Sequence, residues 1–145
     1  MKLVDANVLL YAVNSDAAHH EPSREWLDRS LSGDDRVGLA WVPLLAFIRL
    51  ATKAQLFDNP LTVDEATEQV QQWLAAPGAV PVHPTVRHAD VLRALLADLG
   101  AGGNLVNDAH LAALAREHKA EVVSYDADFA RFGGVRWRRP EDLLA

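Results

Sequence analysis

Three aspartates in this chain stand where strands end or helices begin. Asp5 closes the short apolar run Lys2–Val4 and precedes a helix-compatible run from Ala6. Asp126 follows the β-branched run Glu121–Tyr125, and Asp108 lies in the first turn of the helical stretch after Gly102–Gly103–Asn104. In an open parallel sheet, strand ends share one edge and ligands bind beyond it. The three carboxylates can therefore converge. Two like charges about 4 Å apart repel by roughly 1–4 kcal/mol between water and a protein surface, so three require a counter-charge. Hard divalent cations prefer such oxygen ligands. An ion there can activate water and neutralise charge developing on a phosphate. Each aspartate also has an ordinary structural use: Asp5 as a helix N-cap, Asp108 as a helix-dipole partner, Asp126 as a turn residue.

Two neighbours carry useful polar groups. Asn7, two residues after Asp5, has an amide that can reach a carboxylate or a scissile phosphate. Ser124 offers a hydroxyl beside Asp126. The six histidines are scattered, with no HxxxH pair, and are expected to be surface or packing residues. The four tryptophans sit at core spacing, and core is the expected role of each.

The elements that must position these groups alternate. Strands are expected at Lys2–Val4, Val37–Ala40, Val80–His83, Glu121–Tyr125 and Val135–Trp137. Helices are expected at Ala6–Val13, about Pro22–Ser32, Pro43–Lys53, from Thr62 to Ala75 behind a Thr62/Glu65 capping box, Thr85–Leu99 and Leu105–His118, with a helical turn at Asp126–Phe132. Short strands separated by helices argue a parallel sheet covered on both faces. The fold class is thus α/β: a three-layer α/β/α sandwich with a short, mainly parallel central sheet. With 145 residues and no linker, 1–145 reads as a single domain.

The chain carries 14 basic and 20 acidic residues, a formal charge of −6, which argues against sequence-independent grip on nucleic acid by phosphate neutralisation. A bound cation reverses that sign locally, so a nuclease is not excluded. Ala54–Val86 holds four acids and no Lys or Arg, whereas Phe129–Pro140 holds Arg131, Arg136, Arg138 and Arg139 and no acid. There is no cysteine, hence no disulfide or thiolate site. No basic-then-apolar leader and no apolar run of about 20 residues is present, so a soluble cytoplasmic protein without membrane partners is expected.

Four stretches resemble the PIN-domain family and, within it, the VapC-type toxins of toxin–antitoxin pairs. They are Val4-Asp5-Ala6-Asn7-Val8-Leu9-Leu10-Tyr11-Ala12, Phe47-Ile48-Arg49-Leu50-Ala51-Thr52, the run from Gly103 through Asn107-Asp108-Ala109 to Ala115, and Val123-Ser124-Tyr125-Asp126-Ala127-Asp128-Phe129-Ala130-Arg131-Phe132. They keep the family's order and span nearly the whole chain. The resemblance implies a Mg²⁺- or Mn²⁺-dependent endoribonuclease that arrests growth by cutting cellular RNA. It also implies a cognate VapB-type antitoxin and a homodimer. It maps Asp5, Asp108 and Asp126 onto metal-site carboxylates, Asp128 onto a nearby acid and Arg49 onto a residue one turn from the site; on that reading Asp5 and Asp108 hold the ion, Asp126 binds it through water or orients the attacking water, and Asn7 and Ser124 support the substrate phosphate. The chain departs from the family at Ala46, where many members place Glu.

Two rival readings remain at this stage. A phosphatase with Asp5 as nucleophile, of the haloacid-dehalogenase-like kind, would place an acid two residues on, where this chain has Asn7. A non-catalytic PIN-like module that only binds a partner is suggested by Ala46.

Overall fold

A computed structural model describes residues 1–145. Five short strands, β1 (Lys2–Val4), β2 (Val37–Leu39), β3 (Ala79–Pro81), β4 (Glu121–Val123) and β5 (Trp137–Arg138), form one sheet in the order β3-β2-β1-β4-β5. Every pairing is parallel. The chain winds outward from β1 in both directions, so the topological switch point lies between β1 and β4.

Side chains on these strands alternate between two cores, as a period of two requires. Val4, Val37, Leu39 and Val123 face one layer, built by α1 (Ala6–Val13), α2 (His20–Arg29), α3 (Trp41–Ala51) and α4 (Val63–Ala75). There Phe47 meets Trp73 edge-on, with ring centroids 4.7 Å apart. Leu3 and Val122 face the other layer, built by α5 (His88–Leu99) and α6 (Val106–His118) with Phe129 and Phe132. The result is the three-layer sandwich expected, with a sheet that is wholly rather than mainly parallel. No helix is long and apolar enough to cross a membrane.

Element boundaries show where local chemistry overrides pattern. The capping box forms: Glu65 N–H donates to Thr62 Oγ1 and Thr62 N–H to Glu65 Oε1. Helix α3 begins at Trp41, two residues ahead of Pro43, because proline is tolerated in a first helical turn. Helix α5 begins at His88 rather than Thr85, because Thr85 donates both its N–H and its hydroxyl to Glu117 and is held out of the helix. A short helix α7 (Pro140–Leu144) was not expected; Pro140 opens it. At Gly78, an added Cβ would lie 2.3 Å from the Ser30 carbonyl oxygen and 2.8 Å from that of Asp35, so only glycine allows β3 to pack there.

Trp26 and Trp73 are buried as expected, but Trp41 is 45% exposed. Its turn of α3 leaves the sheet edge before the helix settles on the core, and only Pro43, Leu44, Phe47 and Ala51 of that helix are buried.

Candidate metal centre

The site is built at the carboxyl edge of β1 and β4. Asp5 continues β1, its N–H donating to Val123 O at 3.0 Å. Its side chain then caps α1: Oδ1 accepts from Ala6 N–H at 2.8 Å. The buried Ser124 hydroxyl, one residue beyond β4, donates to Asp5 Oδ2 at 2.8 Å and accepts the Asp126 N–H at 2.9 Å. Asn7 ties the strand ends together from the side. Its amide nitrogen lies 3.1 Å from Ser124 Oγ and 3.5 Å from Asp5 Oδ2, and its Oδ1 accepts from Tyr125 N–H at 3.2 Å. Asp126 in turn caps the 3-10 turn Ala127–Arg131, accepting from Asp128 N–H at 2.9 Å.

Asp108 reaches the same pocket from the opposite layer, in the first turn of α6. Carboxylate oxygens of Asp108, Asp126 and Asp128 lie within 4.8 Å of one another. Sequence reasoning grouped Asp108 and Asp126 with Asp5 and left Asp128 to one side. In the fold, the 3-10 turn brings Asp128 into the tight group, and Asp5 stands behind it, near enough for its charge to act on Asp108.

Burial and neighbouring negative charge together set the electrostatics. Burial, then the charges of Asp126 and Asp5, contact with Asp126 and the charge of Asp128 push Asp108 up to about 7. Burial likewise raises Asp5, with Asp126 adding to it, against the hydrogen bonds from Ser124 and Ala6 that favour its ionised form. The donor set is all carboxylate, with no nitrogen or sulfur in the tight group, and burial together with the neighbouring charges disfavours the ionised form of Asp108. A hard divalent cation fits both facts.

Arg49 is exposed in the last turn of α3 and makes no ion pair, one turn beyond the half-buried Ala46. From Arg36 to Phe57 the chain holds Arg36, Arg49 and Lys53 and no acid. Three of the four C-terminal arginines are engaged instead: Arg131 pairs with Asp128 at 3.7 Å, and Arg136 and Arg138 with Glu121 at 3.9 and 3.2 Å, while Arg139 makes no ion pair. A groove of about 740 Å³ between α2 and α4 contains none of these carboxylates and is lined by residues such as Arg24, Leu61 and Trp73.

Sequence reasoning missed a second polar network. Glu117 accepts from Thr85 N–H at 2.9 Å, from Thr85 Oγ1 at 2.7 Å and from His88 Nδ1 at 2.5 Å. Burial alone would raise its carboxyl; the Thr85 and His88 bonds outweigh that and hold it below the ordinary range. His88 Nε2 then lies 2.9 Å from His110 Nδ1. The signal in the sequence was the seven-residue spacing of His110 and Glu117, which places both on one face of α6.

An open parallel sheet with carboxylates gathered at its switch point has the architecture of a cation-binding hydrolase site. The model of the PIN domain matches residues 2–135. The chain is 67% identical to Ribonuclease VapC37 of Mycobacterium tuberculosis over 99% of its own length and 100% of that protein's. Among solved structures, VapBC2 from Rickettsia felis, bound to a DNA fragment from its promoter, superposes with a TM-score of 0.70 at 15% identity, over 95% of this chain and 97% of that one. Mycobacterium tuberculosis VapC20, described as a sarcin–ricin loop cleaving toxin, superposes at 0.69 with 17% identity, over 94% and 99% of the two chains. This chain belongs to the PIN-domain family and, within it, to the VapC ribonucleases.

Proposed function

We propose that this ribonuclease is a Mg²⁺-dependent endoribonuclease, the toxin of a toxin–antitoxin pair, and that its site is the carboxylate group at the ends of β1 and β4. The observation that carries the reading is the convergence of Asp108, Asp126 and Asp128 within 4.8 Å at a sheet switch point. These three would hold the ion. When bound, such an ion lowers the pKa of a coordinated water and neutralises charge on the scissile phosphate.

The chain's own residues supply position. Both oxygens of Asp5 and one of Asp126 already accept hydrogen bonds. An all-oxygen set of this kind suits hard ions such as Mg²⁺ or Mn²⁺. Asp5 orients the attacking water. Ser124 and Asn7 spend their polar atoms on Asp5 and on the backbone of Tyr125 and Asp126, so their support for the substrate runs through Asp5. Arg49, unpaired on the acid-free α3 segment, takes a substrate phosphate. The engagement of both ends of the Asn7 amide also disfavours a phosphatase reading, which needs a free acid there.

The reading extends to a VapB-type antitoxin that relieves the activity, a homodimer and a cytoplasmic location, each supported by family membership. The test is Asp5→Asn, assayed for RNA cleavage in Mg²⁺. The amide keeps the shape and loses the charge, so cleavage should be abolished with the circular dichroism spectrum unchanged. Wild-type cleavage by this variant would overturn the site.

A further inference from the structure

We propose that His88 and His110, backed by Glu117, form a second cation site on the seam between α5 and α6, for a nitrogen-preferring divalent ion of the Zn²⁺, Ni²⁺ or Cu²⁺ type. The inference does not rest on the nuclease reading. Glu117 is anchored first: its Oε1 is fixed by both donors of Thr85, and its side chain is 0% exposed. Its Oε2 is left for His88 Nδ1 alone. A carboxylate accepting from Nδ1–H selects the tautomer whose Nε2 carries a bare lone pair. This is the arrangement that orients metal-binding histidines and raises their basicity.

That lone pair points at a second imidazole nitrogen. His88 Nε2 and His110 Nδ1 are 2.9 Å apart, with the ring planes at 74°. Two imidazoles on one tetrahedral ion, each at about 2.05 Å, have their nitrogens about 3.3 Å apart. As it stands His110 Nδ1–H donates to that lone pair; moving this proton to His110 Nε2, with an opening of about 0.4 Å and a turn of the rings so that both lone pairs converge, makes the contact a two-nitrogen chelate. The His88 side chain is 14% exposed, so water can reach the pair and fill the remaining positions. Nearby on α6, His118 is already engaged, donating from Nε2 to the His83 carbonyl at 2.7 Å.

The site is separate from the acidic one. Asp108 and His110 are two residues apart on α6, about 200° around the helix at 3.6 residues per turn. The ligand chemistry differs as well. Imidazole suits Zn²⁺, Ni²⁺ and Cu²⁺, whereas carboxylate and water suit Mg²⁺ and Mn²⁺. An ion here would clamp α5 onto α6.

The experiment is calorimetric titration of the full chain with Zn²⁺ in a large excess of Mg²⁺, which occupies the acidic site. About one equivalent should bind. Binding should be lost in His88→Ala and in His110→Ala, retained in Asp126→Asn, and weakened roughly tenfold to a hundredfold in Glu117→Gln. No uptake, uptake indifferent to both histidine changes, or loss in Asp126→Asn would each overturn the site. Electron paramagnetic resonance of Cu²⁺ bound to the unaltered chain covers the case in which a variant misfolds. Coupling to two nitrogens supports the pair, and an all-oxygen spectrum refutes it.

Discussion

Asp108→Asn should stabilise the ion-free protein, and only where pH would otherwise ionise the carboxyl. Asp108 titrates near 7 in the fold against 3.8 ordinarily, raised by burial and by the charges of Asp126 and Asp5. A raised carboxyl means that the folded state holds its proton more tightly than the unfolded chain. Below about pH 4 both are protonated and there is no penalty. Between about 4 and 7 the unfolded chain has given up the proton while the folded one retains it, so stability falls as pH rises. Above 7 the penalty is complete. At about 1.4 kcal/mol per unit, some three units would cost roughly 4 kcal/mol. Asp108 is only half-buried, and screening by solvent reduces this to about 1–2 kcal/mol. An asparagine of the same shape cannot ionise, so it should raise Tm by about 3–6 °C at pH 8 and by almost nothing at pH 4. The assay is thermal unfolding of both proteins at the two pH values with EDTA present. An equal shift at both pH values, or a lower Tm at pH 8, would refute the reasoning. Adding Mg²⁺ should then favour the unaltered chain, since an ion that binds only the folded wild-type site stabilises it by mass action.

Three further changes probe the surroundings. Ala46→Glu puts a carboxylate where many family members carry Glu and should tighten Mn²⁺ binding in calorimetry; unchanged affinity would mean that position 46 faces elsewhere. Arg49→Ala should weaken binding of uncleavable RNA in Ca²⁺ and flatten its salt dependence by roughly one unit of slope. The same loss in Arg138→Ala, with Arg49→Ala unaffected, would place the RNA over the C-terminal stretch. Ser124→Ala removes the donor to Asp5 and leaves the Asp126 N–H without its partner, which should cost about 1–3 kcal/mol in urea unfolding and reduce cleavage. An unchanged urea midpoint would show that water replaces the hydroxyl.

The architecture was legible wherever a local rule and a long-range need agree. Asp5 and Asp126 were found because each is both the end of an apolar run and a cap, and the structure uses both in that way. The Thr62/Glu65 box needed only four residues to read. Long-range partnerships were not legible. Glu117 holds Thr85 across 32 residues, and that contact decides where α5 begins. His88 and His110 become neighbours only once α5 packs on α6. Asp128 was underrated because its place depends on the pitch of one 3-10 turn, which brings it back over Asp126. Trp41 was misjudged because spacing tells which face of α3 is inward only when the helix start is known, and Pro43 obscured it.

The step between β1 and β4 sets the tolerance of the whole centre. Leu3 stands opposite Val122 and Val4 opposite Val123, so the next residues, Asp5 and Ser124, arrive side by side with their polar groups in reach. A slip of one residue would carry Ser124 about 3.3 Å along the strand and turn it to the other face. The accuracy of the chemistry is therefore inherited from a three-rung backbone ladder in the middle of the molecule. Only Asp108 reaches the centre from outside the ladder, on the first turn of α6. A cavity cut beneath β1 or β4, at Leu3 or Val123, touches no acid, yet it loosens the ladder that keeps the acids aligned. Such a variant should lose its cutting power while most of its structure still stands.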